Sequence, residues 1–132
     1  MSKILLVEDS PGDMLLARKA VKQLSSEVSL LIAATGKDAL RQVEAYGPDL
    51  VLLDLNLPDI SGFEVLTYMQ SQYPDISVFV LSTSRNPKDI ERASELGVSG
   101  YQSKPRSYQD YAAFIAQLGE FLDSRPPRRV VG

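Results

Sequence analysis

The 132-residue sequence predicts a doubly wound α/β domain built on a parallel sheet. Two short unbroken apolar runs, Ile4-Leu5-Leu6-Val7 and Leu50-Val51-Leu52-Leu53, read as strands buried on both faces. Segments with helical spacing alternate with such runs, the pattern of successive βα units. Both runs also end in carboxylates, Glu8-Asp9 after the first and Asp54 after the second, which lines charge along one rim of the sheet.

The first strand is expected over 3–7. Ser10-Pro11-Gly12-Asp13 then supplies an N-cap, a proline at the first helical position and an acid at N3, and Met14, Ala17, Val21 and Leu24 mark one face of a helix running to about 24. A second strand over 29–34 leads through a Thr35-Gly36 turn into a helix over 38–46, with Ala39, Leu40 and Val43 facing inward, stopped by Gly47-Pro48. The third strand, 50–54, is followed by a helix over 62–72, and Tyr73-Pro74-Asp75 leads into a fourth strand over 77–82. The fourth helix begins near Pro87 and ends at Gly97; its weak periodicity, with Ile90, Ala93 and Leu96 inward, predicts light packing. A short fifth strand over 100–103 precedes a last helix over 107–123. Ser124-Arg125-Pro126-Pro127-Arg128-Arg129 cannot continue that helix and reads as an extended tail. Neither an internal repeat nor a second domain is evident.

Composition narrows the chemistry. At 44% apolar the chain is long enough to bury a core without staples. Cysteine is absent, so disulfides and thiolate metal sites are excluded; histidine is absent too, which removes the usual general base and a main ligand of borderline metals. Hard-metal carboxylate chemistry passes that filter. No apolar run approaches a membrane span, and Met1-Ser2-Lys3 leads directly into a strand, so a cytoplasmic protein without a membrane segment is expected. With 17 acidic against 14 basic residues, no footprint for nucleic acid stands out; the one basic cluster, 125–129, lies in the tail.

Ligands in open parallel sheets bind outside the carboxyl ends of the strands, at the switch in strand order. Glu8, Asp9, Asp54, Ser82, Thr83 and Lys104 all fall there. Each alone has a plainer reading as a helix cap, a turn residue or a solvated lysine; their joint placement on one edge is what points to function. Three carboxylates brought together repel unless a cation lies between them, and hard oxygen ligands with room for water suit Mg2+ and phosphate oxygens. The chemistry indicated is phosphoryl transfer.

Over nearly its whole length the sequence resembles the receiver domain of two-component response regulators. The matching segments are Ile4-Leu5-Leu6-Val7-Glu8-Asp9-Ser10-Pro11, Leu53-Asp54-Leu55-Asn56-Leu57-Pro58 with Ser61-Gly62, Val80-Leu81-Ser82-Thr83-Ser84, and Gly100-Tyr101-Gln102-Ser103-Lys104-Pro105. The resemblance implies a flavodoxin-like (βα)5 fold with strand order 2-1-3-4-5, a receiver domain over 1–124 and a tail over 125–132. It implies Asp54 as phosphoacceptor, Glu8 and Asp9 as the acid pair serving Mg2+, Lys104 as the site lysine, Ser82 as switch hydroxyl and Tyr101 as switch aromatic, with Asn56, Thr83 and Ser84 modulating. Ser10-Pro11-Gly12-Asp13, the Leu81-Ser82-Thr83-Ser84 run and Gly119-Glu120-Phe121-Leu122 are most similar to stand-alone receivers that partner phytochrome-type kinases. The protein so implied is a switch, phosphorylated by a histidine kinase, rather than an enzyme. Its signal is expected to leave by protein contact, either to a downstream target or by passing the phosphoryl group to a histidine phosphotransfer protein.

In physical terms, an in-line transfer needs a nucleophilic oxygen, a metal against the equatorial oxygens and further donors aimed at them. Asp54 would be the nucleophile. Asp9 and Asp54 would hold Mg2+, with Glu8 acting through water and the backbone carbonyl of Asn56 as a further ligand. Lys104 and Ser82 would meet the other phosphoryl oxygens, Tyr101 would fill the space the Ser82 hydroxyl leaves, and the surface of helix four, strand five and helix five would respond. Tyr101 also reads simply as an aromatic on a half-buried edge strand.

Some positions depart from the common pattern. Ser82 stands where threonine is more usual, and Thr83 is bulkier than the small residue often found there, so its side chain is expected to shield the acyl phosphate from water. Arg106 replaces a frequently apolar residue, which nothing in the sequence explains. In the last helix Tyr108, Tyr111, Ile115, Leu118 and Leu122 form an inward stripe while Phe114 and Phe121, at heptad spacing, project to another side. A homodimer through the helix-five face, with Tyr111, Phe114 and Phe121 as its residues, is therefore expected. Rival functions fare less well. A haloacid dehalogenase-type phosphatase needs a second acid where Asn56 stands, a flavodoxin-type carrier would meet its phosphate with the repelling Glu8-Asp9 pair, and a pure scaffold has no need of Asp54, Lys104 and the acid pair together.

Overall fold

The computed structural model describes residues 2–24 and 27–124; the tail over 125–132 lies outside the described residues. Strands β1 (Ser2–Val7), β2 (Val28–Ala33), β3 (Leu50–Asp54), β4 (Ser77–Ser82) and β5 (Gly100–Ser103) alternate with helices α1 (Pro11–Lys22), α2 (Gly36–Tyr46), α3 (Gly62–Gln72), α4 (Pro87–Glu95) and α5 (Tyr108–Ser124). All strand pairs are parallel, in the order β2-β1-β3-β4-β5.

The apolar runs fill both faces because neighbouring residues of a strand point to opposite sides. Leu5, Val7, Val51, Leu53, Val78 and Val80 pack with Ala39 and Val43 of α2, Phe63, Leu66 and Met69 of α3 and Ala93 of α4. Their alternates Ile4, Leu6, Leu50, Leu52 and Leu81 pack with Ala17, Ala20 and Val21 of α1 and Tyr111, Phe114, Ile115 and Leu118 of α5. A fully buried leucine contributes about 2 kcal/mol of transfer free energy, so this two-sided burial is the main force holding the sheet between its helices.

Side-chain caps start the helices at the carboxyl rim. Ser10 Oγ accepts from the Asp13 N–H at 3.4 Å, Thr35 Oγ1 from Asp38 at 3.0 Å, Ser61 Oγ from Phe63 at 3.1 Å and Asn86 Oδ1 from Lys88 at 3.0 Å. Thr35 therefore caps α2 and Gly36 is its first residue, rather than the two forming a separate turn. At the far ends, Gly47 (φ 54°) closes α2 in the left-handed conformation that glycine adopts without strain. Gly97 (φ 80°) follows Leu96, the cap of α4, so that helix ends at Glu95, two residues short of the expected boundary. Helix α1 likewise stops at Lys22, and β2 is shifted one residue earlier than expected.

Two expectations about packing are corrected. Ile90 of α4 is 41% exposed, leaving Ala93 as the fully buried position of that helix. In α5, Tyr111 is completely buried and Phe114 is 7% exposed, so neither is available as a dimer face in this conformation. Phe121 is half-buried, its ring edge-on to Phe79 at 5.1 Å. Two helices cover that whole side of the sheet, and α5 buries a wider stripe than heptad spacing suggests. The space for Phe79 comes from its strand partner Gly100, where a Cβ would lie 2.7 Å from the Phe79 ring.

Candidate functional site

Strand register brings the site together. Val7 of β1 pairs with Leu53 of β3, Asp54 with Leu81 of β4, and Ser82 with Ser103 of β5, so residues 8, 54, 82 and 104 stand in a row at the carboxyl rim. Asp54, the last residue of the central strand, is 5% exposed and Glu8 is 1% exposed, whereas Asp9 is open to solvent. Glu8, Asp9 and Asp54 each offer a carboxylate oxygen, all within 4.8 Å of one another. Oxygen donors alone, two buried and one open, form a set that fits a hard divalent cation keeping part of its water.

Lys104 crosses to this cluster from the loop after β5. Its ammonium lies 2.8 Å from Glu8 Oε2, 3.2 Å from Asp13 Oδ2 and 3.3 Å from Asp54 Oδ2. The carboxylates are also held by backbone donors: Asp54 Oδ1 accepts from the Asn56 N–H at 3.0 Å and Glu8 Oε1 from the Ser10 N–H at 3.0 Å. Burial pushes the Glu8 carboxyl above its ordinary value, with the Asp54 charge adding, while Lys104 and the Ser10 N–H pull the other way. Burial alone would lower the Lys104 pKa; the Glu8 hydrogen bond and the charges of Asp54 and Glu8 outweigh it and hold the ammonium firmly charged.

At the end of β4, Ser82 is buried and its Oγ accepts from the Ser84 N–H at 3.0 Å. Ser84 donates its own hydroxyl to Asp89 of α4 at 2.6 Å, and its carbonyl accepts from the Tyr101 hydroxyl at 3.1 Å. Tyr101 is half-buried, and Thr83 and Asn56 are exposed. Backbone bonds from Lys104 N to Ser82 O at 3.0 Å and from Gly62 N to Leu55 O at 3.0 Å fix the two flanking loops.

Sequence reasoning missed Asp13 and Tyr111 as parts of this site. Asp13 was expected only to serve the first turn of its helix, and Tyr111 only to fill an apolar stripe. In the structure the Tyr111 hydroxyl donates to Asp13 Oδ1 at 2.9 Å. A tyrosine among buried leucines and isoleucines is itself a signal, since its hydroxyl must find an acceptor inside.

Comparison with known proteins agrees with this geometry. The family described as response regulator receiver domain matches residues 4–116. The chain belongs to that family. Response regulator Rcp1 of Synechocystis sp. is 37% identical over 128 residues, covering 89% of this chain and 86% of Rcp1. Among solved structures, the Mn(2+)-bound form of Rcp1 superposes with a TM-score of 0.84 at 32% identity, covering 98% of this chain and 100% of that one. The phosphorylated cyanobacterial phytochrome response regulator RcpA gives a TM-score of 0.82 at 35% identity, covering 93% and 94%. The flavodoxin-like fold with strand order 2-1-3-4-5 and the similarity to phytochrome response regulators are as the sequence led one to expect, and the protein is a phosphoaspartate-accepting signalling switch. Among the described residues no helix is long and apolar enough to cross a membrane.

Proposed function

We propose that Asp54 is the phosphoacceptor, that Mg2+ is the working metal and that the donor is a phytochrome-type histidine kinase. The observation that carries this reading is the convergence of Glu8, Asp9 and Asp54 within 4.8 Å, with the Lys104 ammonium 3.3 Å from Asp54. A metal held there would supply positive charge against the phosphoryl oxygens and the carboxylates. The Asp9 and Asp54 carboxylates and the Asn56 carbonyl would hold it, with the Glu8 carboxylate beside them. An Asp54 oxygen attacks phosphorus, the new P–O bond forms as the bond to the donor breaks, and the donor leaves with that electron pair. Lys104 donates to a second phosphoryl oxygen. Ser82 Oγ gives up its bond from Ser84 and donates to a third.

The same exchange supplies the output. Ser84 links the Ser82 hydroxyl to Asp89 of α4 and to Tyr101 of β5, so recruiting Ser82 shifts the surface of α4, β5 and α5. That surface carries the exposed Ile90 and serves a downstream protein or a second copy of the chain. The reading is tested by transfer from an autophosphorylated phytochrome kinase, in light and in dark, with Mg2+ or EDTA. Label is expected to move to the wild-type chain only with Mg2+ and not to Asp54→Asn. Transfer from unrelated kinases at equal rate would contradict the phytochrome assignment.

A further inference from the structure

Helix α5 reaches the acidic site through a side chain that the transfer chemistry leaves unused. Tyr111, the largest fully buried side chain described, sits in the apolar layer between the sheet, α1 and α5. Its hydroxyl donates to Asp13 Oδ1 at 2.9 Å, across 98 positions of sequence. The other oxygen of Asp13, Oδ2, is 3.2 Å from Lys104 Nζ. A continuous line of contacts therefore runs from the packed interior of α5 through Tyr111, Asp13 and Lys104 to Asp54.

Taking Asp54 to be the phosphoacceptor, we propose that Asp13, held by Tyr111, is a positioning residue that fixes the Lys104 ammonium beside Asp54 during phosphoryl transfer. Lysine is a compact charge on a flexible stem and needs anchors from more than one side. Glu8 and Asp54 anchor it from the sheet, but both belong to the carboxylate group that would turn toward a cation. Asp13 lies outside that group, so it is the anchor that remains when a metal is bound. Its role as a first-turn acid does not explain its contacts: Ser10 already caps α1, and both Asp13 oxygens have partners outside the helix. Nor would a further negative charge next to an arriving phosphoryl group help by direct contact. Its effect is transmitted through the lysine.

Tyr111→Phe tests this cleanly because it removes one hydroxyl while keeping the ring volume and the Asp13 charge. With acetyl phosphate and Mg2+, the variant is expected to form aspartyl phosphate about five-fold more slowly at saturating donor, the effect of one lost hydrogen bond. The donor concentration at half-saturation should not change. In an Asp13→Asn background the same substitution should have no further effect, since both act through one path. The Lys104 ammonium signal in 15N NMR, sharp in wild type, should broaden in both single variants. A wild-type rate in Tyr111→Phe, or additive losses in the double variant, would overturn the proposal, as would an unchanged ammonium signal. Failure of wild type to be phosphorylated would instead overturn the assignment of Asp54 and the catalytic consequence with it, and the NMR signal would still decide whether the pair positions Lys104.

Discussion

Glu8 is a carboxylate almost without solvent, paired with Lys104 at 2.8 Å. Burial raises its pKa above the ordinary 4.5, so the folded protein takes up this proton at a higher pH than the unfolded chain does. The resulting contribution to stability is fully present below 4.5 and is lost as pH rises through the folded value. Metal-free protein should therefore gain thermal stability as pH falls from neutrality toward 4.5, and Glu8→Gln should be the more stable form at neutral pH and show less of that gain. A melting series in which the variant follows wild type throughout the window would contradict this. Asp13 has the opposite sign. Its burial would raise its pKa, but bonds from Tyr111, Lys104 and Ser10 together hold it below the ordinary 3.8, so its contribution is present above that value and lost as pH falls further. Thr83 follows the buried Ser82 and is itself exposed, and if its side chain partly shields an acyl phosphate from water, its removal should shorten the life of that phosphate. Thr83→Ala is expected to lose its phosphoryl group a few-fold faster in a dephosphorylation time course; an unchanged rate would remove Thr83 from the mechanism.

Individual elements set how closely the loop after Asp54 is held. Gly62 opens α3 directly behind Asp54, and a Cβ there would stand 2.5 Å from Leu55 Cα and 2.7 Å from the Asp54 carbonyl oxygen. Because the obstacle is backbone, Gly62→Ala must displace α3 or the loop, with an expected loss of about 2 kcal/mol in denaturant unfolding. Wild-type stability would mean the loop yields more easily than its contacts suggest. On the other side of that loop, the Asp59 carboxylate accepts from the Gly36 and Lys37 N–H groups at 2.8 and 2.9 Å, tying the loop to the start of α2. The strands and the start of α1 were legible because each depends on local pattern: an unbroken apolar run for β3, and Ser10-Pro11 with Asp13 for the first helix. What α5 covers was not. Phe121 lies edge-on to Phe79, for which Gly100 leaves room, and Phe114 is buried in the layer shared with α1; a helical wheel carries no information about either.

Across the whole molecule, parallel strands of matched register deliver Glu8, Asp54, Ser82 and Lys104 to one rim, which is why that part of the site could be read from where apolar runs end. Asp13 and Tyr111 could not be read that way. Their contact exists because α1 and α5 share one face of the sheet, a consequence of strand order rather than of any nearby sequence. The domain thus couples a charged rim to two packed layers, with α5 joined to the rim through Asp13 and α4 joined to it through Ser84. The most direct measurement of the central claim is intact mass after incubation with Mg2+ and acetyl phosphate, for wild type and Asp54→Asn, independent of any kinase. A labile gain of one phosphoryl group in wild type alone is expected. An unchanged wild-type mass, or an equal gain in Asp54→Asn, would contradict the assignment of Asp54 as acceptor.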